Sequence, residues 1–76
     1  MPRLPVLSGP EAIRAVQRAG FVWDRQVGSH VTLRHPETCR SVTVPVHGAQ
    51  DLPIGTIRGI IRDAGLTVEE FRRLLK

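Results

Sequence analysis

The chain is short of several things that decide protein class. Its 76 residues include no Tyr, one Trp, two Phe and one Met. A core with so few large rings must be aliphatic, packed from Val, Ile and Leu. Cys39 is the only cysteine, which excludes an internal disulfide and favours a reducing compartment; a cytoplasmic location is expected. No apolar run approaches the length of a membrane span, and Met1–Pro10 lacks the apolar stretch of a signal peptide, so no membrane partner is expected. So short a chain cannot build two cores, and residues 1–76 are expected to form a single domain. No cofactor is expected, because a separate cofactor-binding unit has no room. Lysine is scarce as well: Lys76 is the sole one, and the other ten basic residues are Arg.

What is present reads as a globular, basic protein. Hydrophobic residues make up 41% and charged residues 24%, values that separate it from disordered tails. Eleven basic residues against seven acidic ones leave a formal charge of +4. The planar guanidinium fork matches phosphate and carboxylate, so a polyanionic partner is one reading of the excess. A solubilised surface, or the codon usage of a GC-rich genome, explains the same excess, and charge alone does not decide.

Residues 1–7 carry Pro2 and Pro5 and read as an extended lead-in. Ser8 followed by Glu11 is a capping box, and Ala12, Ile13, Val16 and Ala19 recur at helical spacing until Gly20. A first helix is predicted from about Gly9 to Ala19. Three strands follow: Phe21–Gln26, Ser29–His35 after a turn at Val27-Gly28, and Ser41–Val46 after a hairpin loop over His35–Arg40. A second helix carries the stripe Ile57, Ile60, Ile61 and Ala64 and stops at Gly65. Thr67 and Glu70 form another capping box, opening a short third helix with Phe71, Leu74 and Leu75 inward and Arg72, Arg73 and Lys76 at its negative end. The predicted fold class is α+β: a three-stranded antiparallel sheet with helices on one face, in the order α-β-β-β-α-α.

Parity assigns the two faces of that sheet. On the second strand Val31 and Leu33 point one way, and His30, Thr32 and Arg34 the other. On the third, Val42, Val44 and Val46 oppose Ser41, Thr43 and Pro45. The apolar sets must meet the helices, leaving an open polar face. His47 joins that face if the strand runs past Pro45. The first strand is ambiguous; Phe21, Trp23 and Arg25 share one parity, and Phe21 and Trp23 are assigned to the core.

An imidazole on such a face has a use. It can take the proton of a ribose 2′-hydroxyl, and the freed oxygen can attack its own 3′-phosphate. The nucleophile is already tethered to the phosphorus, so the reaction calls for no metal. His30 is the candidate base, and Arg25 or Arg34 the candidate partner for charge developing on the phosphoryl oxygens. On spacing alone, the plainer reading of His30 is a surface histidine beside a turn. His47 has two readings, a substrate contact or partner acid, and a residue that ties down the loop after the strand. The order His30, His35, Cys39, His47 matches no zinc spacing, and no metal site is expected. Arg58 and Arg62 lie four apart on the second helix, where a phosphate contact and a solvated face both fit.

Taken in order, Gly20-Phe21, Arg25, Gly28-Ser29-His30, Val42–Gly48 (VTVPVHG), Leu52, Gly55-Thr56, Ile60, Ala64-Gly65-Leu66 and Glu70-Phe71 resemble the HicA (YcfA-like) toxins. The resemblance runs over nearly the whole chain, from about Ser8 to Leu75. It implies a fold similar to the double-stranded RNA-binding domain, cleavage of mRNA without a metal, growth arrest, and a HicB-type antitoxin that masks the active surface. It also implies that His30, the histidine of the Gly-Ser-His element, is catalytic, with Gly28 and Ser29 around it. The chain departs from the family pattern at Val31, where many relatives carry His or an aromatic, and at residues 49–53, which lack Lys.

The leading expectation is therefore a toxin endoribonuclease with His30 as catalytic base and Gly28, Ser29, Arg25, Arg34, Thr32 and His47 as RNA contacts. A non-catalytic RNA-binding module and a basic protein-interaction module are the alternatives.

Overall fold

Ser8 sets the start of the first helix. Its hydroxyl accepts the Glu11 amide at 3.4 Å, and the Glu11 carboxylate accepts the Ser8 amide at 2.9 Å, so two amides that the helix leaves unpaired are satisfied reciprocally. The same device opens the third helix, where Thr67 accepts from Glu70 at 3.0 Å and Glu70 accepts from Thr67 at 2.8 Å. The computed structural model describes residues 4–75; the expectations for Pro2 in the lead-in and Lys76 in the last helix lie outside them. The elements are α1 (Gly9–Arg18), β1 (Val22–Val27), β2 (His30–Arg34), β3 (Ser41–Pro45), α2 (Ile54–Ala64) and α3 (Val68–Arg73). The three strands form one antiparallel sheet in the order β1-β2-β3. This is the α+β arrangement that the patterning predicts.

The core forms where the periodicities meet. Ala12, Ile13 and Val16 of α1, Ile57, Ile60, Ile61 and Ala64 of α2, and Phe71 of α3 are buried against Val31, Leu33, Val42 and Val44 of the sheet. Removing each of the larger side chains from water contributes about 1.5–3 kcal/mol. Gly9 permits a close approach of α1 to the end of β3: a Cβ there would sit 2.6 Å from the Pro45 carbonyl oxygen. Beyond α1, Leu7 is buried and its carbonyl accepts the Leu52 amide at 2.8 Å, which ties the lead-in to the segment before α2.

One strand departs from the sequence reading. All six residues of β1 are exposed, and Trp23 keeps 46% of its surface in water rather than joining the core. Two features cause this. First, α1 and α2 pack chiefly on β3, so β1 overhangs the helices. Second, β1 has a bulge: Trp23 pairs with Leu33 while Arg25 pairs with Thr32, which leaves Asp24 as an extra residue. Trp23 thus faces the helix side but only at the margin of α1, where it lines an open pocket with Pro10, Ile13 and Arg14, and the shared parity of Trp23 and Arg25 is broken. Phe21, just before the strand, is buried as expected.

Candidate functional site

The open face of the sheet follows from the pairing register, since directly opposed residues share a face. Three rows cross it. Val27, His30 and Pro45 make the first, Arg25, Thr32 and Thr43 the second, and Val22, Arg34 and Ser41 the third. The bulge at Asp24 delivers Arg25 to this face; an unbroken alternation would have sent it to the helix side with Trp23.

Hydrogen bonding fixes which pairs lie closest. The Val46 amide donates to the Ser29 carbonyl at 2.6 Å, and the His35 amide to the Arg40 carbonyl at 2.9 Å. These bonds bracket His30–Pro45 and Arg34–Ser41 as pairs without mutual hydrogen bonds, the geometry in which side chains approach most nearly. Thr32 and Thr43 fall in the same class, and their hydroxyls lie 3.3 Å apart. Pro45 fits here because such a position turns its missing amide outward, toward the free edge of β3.

His30 is exposed at the first position of β2. The two-residue loop Gly28-Ser29 places it there, with Gly28 at a φ of +59°, a conformation that suits the first loop position of a hairpin and a residue without Cβ. The Gln26 side-chain amide donates to the Gly28 carbonyl at 3.0 Å and braces that loop. Ser29 is half-buried, and its carbonyl pins the end of β3 as described above. Gly28 and Ser29 therefore shape the backbone around His30.

The two candidate arginines are not equivalent. Arg25 stands on the diagonal neighbour of His30, roughly 7–8 Å away between backbones. Arg34 lies four residues along the same strand, roughly 13 Å distant. Arg25 forms an ion pair with its neighbour Asp24 at 3.7 Å, with 70% and 43% of the two side chains exposed. Such a contact is worth about 0–1 kcal/mol and leaves the guanidinium free to reorient.

His47 is not on the sheet, because β3 ends at Pro45. Its carbonyl accepts the Gln50 amide at 3.1 Å, and the residue lies on the wall of a pocket of about 230 Å³ between the end of β3 and the start of α2. His35 has a role in the hairpin loop. Its Nδ1 accepts the amides of Glu37 and Thr38 at 3.1 and 3.2 Å, and its ring meets Phe21 edge-on with centroids 5.2 Å apart. Among the described residues no three His, Cys, Asp or Glu side chains converge as metal ligands would. Arg58 and Arg62 are exposed on α2, and Arg62 lies 3.4 Å from Asp63. No helix among the described residues is long and apolar enough to cross a membrane.

The structure therefore brings His30, Thr32, Arg34 and Arg25 onto one solvent-facing surface and leaves His47 at its margin. The sequence reading missed Gln50 and Asp51, which share the pocket with His47. They sit in a loop without periodicity, and only the fold places them beside Pro45. A family model described as HicA toxin of bacterial toxin-antitoxin matches residues 9–66, which is more than half of the chain and includes every element from α1 to α2. Among curated proteins none matches. The matched segment contains the whole three-stranded sheet and its open face, and the chain belongs to the HicA toxin family of bacterial toxin–antitoxin systems.

Proposed function

We propose that this toxin is an endoribonuclease that cleaves mRNA with His30 as general base. The imidazole takes the proton of a ribose 2′-hydroxyl as the 2′-oxygen bonds to the adjacent phosphorus. The bond from phosphorus to the 5′-oxygen of the next nucleotide breaks, leaving a 2′,3′-cyclic phosphate. The departing oxygen acquires a proton, which water can supply on so open a face. Arg25, one diagonal step away, offsets charge on the phosphoryl oxygens; Arg34 meets the backbone further along. Thr32, Thr43 and Ser41 supply hydroxyls along the same track. A HicB-like antitoxin that covers this face would silence the enzyme.

The observation that carries the reading is the exposure of His30 in a close pair with Pro45, beside Arg25, on a face free of helices. General-base assistance is worth about 10²–10⁴ in rate, equivalent to about 3–5 kcal/mol of barrier. Purified wild type and His30→Ala are incubated with end-labelled RNA in EDTA. The wild type is expected to yield cyclic-phosphate ends, and His30→Ala to lose about 10²–10⁴ in rate. Equal cleavage by both proteins removes His30 from the mechanism. Salt-sensitive RNA binding with no cleavage product selects a binding module instead.

A further inference from the structure

After β3 the chain turns back to meet the lead-in at Leu7 and Ser8. Val46 packs against the core, and the turn from His47 to Gln50 reverses direction with Gly48 at a φ of +59°. Asp51 forms an isolated antiparallel bridge with Ser8, and Leu52 is buried. Between this segment and the end of β3 lies the pocket of about 230 Å³. Pro45, Leu52 and Pro53 give it apolar walls, and His47, Gln50 and Asp51 give it a polar rim.

The pocket shares one residue with the candidate catalytic face. Pro45 lines it and also opposes His30 in the first row of the sheet. Through Pro45, a single strand whose ribose lies at His30 can direct a neighbouring base toward this pocket. The lining chemistry selects which part of that strand enters. Flat apolar walls suit an unstacked aromatic ring, and single-stranded RNA is commonly read through splayed bases. The Asp51 carboxylate is acceptor-only and repels a phosphate, so the sugar–phosphate chain stays on the arginine-bearing face. A carboxylate rewards bases that present N–H donors on their Watson–Crick edge. Guanine offers two such groups side by side, adenine and cytosine one amino group, and uracil a lone imino group between two carbonyls.

Resting on the nuclease reading above, we propose that this pocket holds the base of a nucleotide flanking the scissile phosphate. Asp51 and Gln50 read its edge, favouring guanine and rejecting uracil. The pocket is then a specificity subsite, separate from the group that moves the proton.

The test is cleavage-site mapping on short RNAs that vary only in the two bases flanking one bond. Wild type is expected to favour guanine over uracil at one of these positions by about tenfold, the scale of one good base-edge contact. Asp51→Asn replaces one acceptor oxygen with a donor and is expected to reduce that ratio to about twofold or less. The fold of the variant is expected to hold, because Asp51 reaches Ser8 through its backbone. No base preference in the wild type, or an unchanged ratio in Asp51→Asn, overturns the proposal. Loss of cleavage altogether, or equal cleavage by His30→Ala, instead defeats the nuclease reading. In that event amide chemical shifts decide the pocket on their own. Guanosine monophosphate is expected to move the Gln50, Asp51 and Leu52 signals and uridine monophosphate to leave them; equal effects, or none, overturn the subsite.

Discussion

The bulge in β1 makes a prediction that separates two otherwise similar arginines. Arg25 and Arg34 both lie on the open face, and a count of charges treats them alike. The register does not: Arg25 is the diagonal neighbour of His30, while Arg34 is displaced by four residues along β2. A guanidinium about 4 Å from a phosphoryl oxygen contributes on the order of 1 kcal/mol at the dielectric of water and about 4 kcal/mol at the value typical of a protein surface. Releasing Arg25 from Asp24 costs less than about 1 kcal/mol. Arg25→Ala is therefore expected to lower the cleavage rate by roughly 10–100-fold. Arg34, roughly 13 Å from His30 between backbones, is placed to meet a neighbouring phosphate instead; a charge held that far from the scissile one is worth about 0.3 kcal/mol in water before screening, and the separation exceeds the Debye length of about 8 Å at physiological salt. Arg34→Ala should leave the rate within about twofold and weaken RNA binding instead, with a shallower salt dependence. Single-turnover cleavage at saturating enzyme reads the rate, and a titration at several salt concentrations reads binding. Equal rate losses in the two variants would refute the diagonal geometry, and with it the placement of the scissile phosphate.

Two further outcomes follow from the packing and the helix caps. Gly9→Ala places a Cβ 2.6 Å from the Pro45 carbonyl oxygen and 3.1 Å from the Val46 Cα, both backbone atoms. Destabilisation by about 1–3 kcal/mol is expected in urea unfolding, with loss of activity because the displaced end of β3 faces His30; an unaltered midpoint would contradict this contact. Glu11 and Glu70 are held below the ordinary carboxylate range, first by the backbone amides of Ser8 and Thr67 and then by those residues' hydroxyls. A lowered carboxylate pKa means that the unfolded chain binds more protons, so this stabilisation is complete above the ordinary carboxylate range and is lost as pH falls through the lowered values. Glu11→Gln with Glu70→Gln should therefore flatten the acid limb of the stability profile measured by thermal unfolding, and a limb of unchanged slope would show that the caps are not its source.

Much of the candidate site is legible before folding. The alternation of His30 to Arg34 places His30, Thr32 and Arg34 opposite Val31 and Leu33, and the structure keeps that division. The loop that presents His30 is equally local, since Gly28 marks it. Arg25 is different. Its strand has alternation enough to suggest a parity, but the bulge that overrides it is a property of pairing with β2. Trp23 fails for a second reason, because its side of the sheet is decided by register and its burial by where the helices lie. His47 depends on where β3 ends, and the pocket beside it depends on a loop returning to that end.

The sequence by itself determined what can be settled within about four residues along the chain. Ser8 with Glu11 and Thr67 with Glu70 start helices through contacts three residues apart, and Gly65, at a φ of +74°, stops one. The same short range fixes the two faces of β2 and β3. Only the tertiary structure decided that Arg25 joins His30, that Trp23 stays wet, and that Gln50 and Asp51 flank Pro45. Strand register and helix placement minimise the free energy of the whole core at once, so the residues they bring together carry no shared signal in a local pattern.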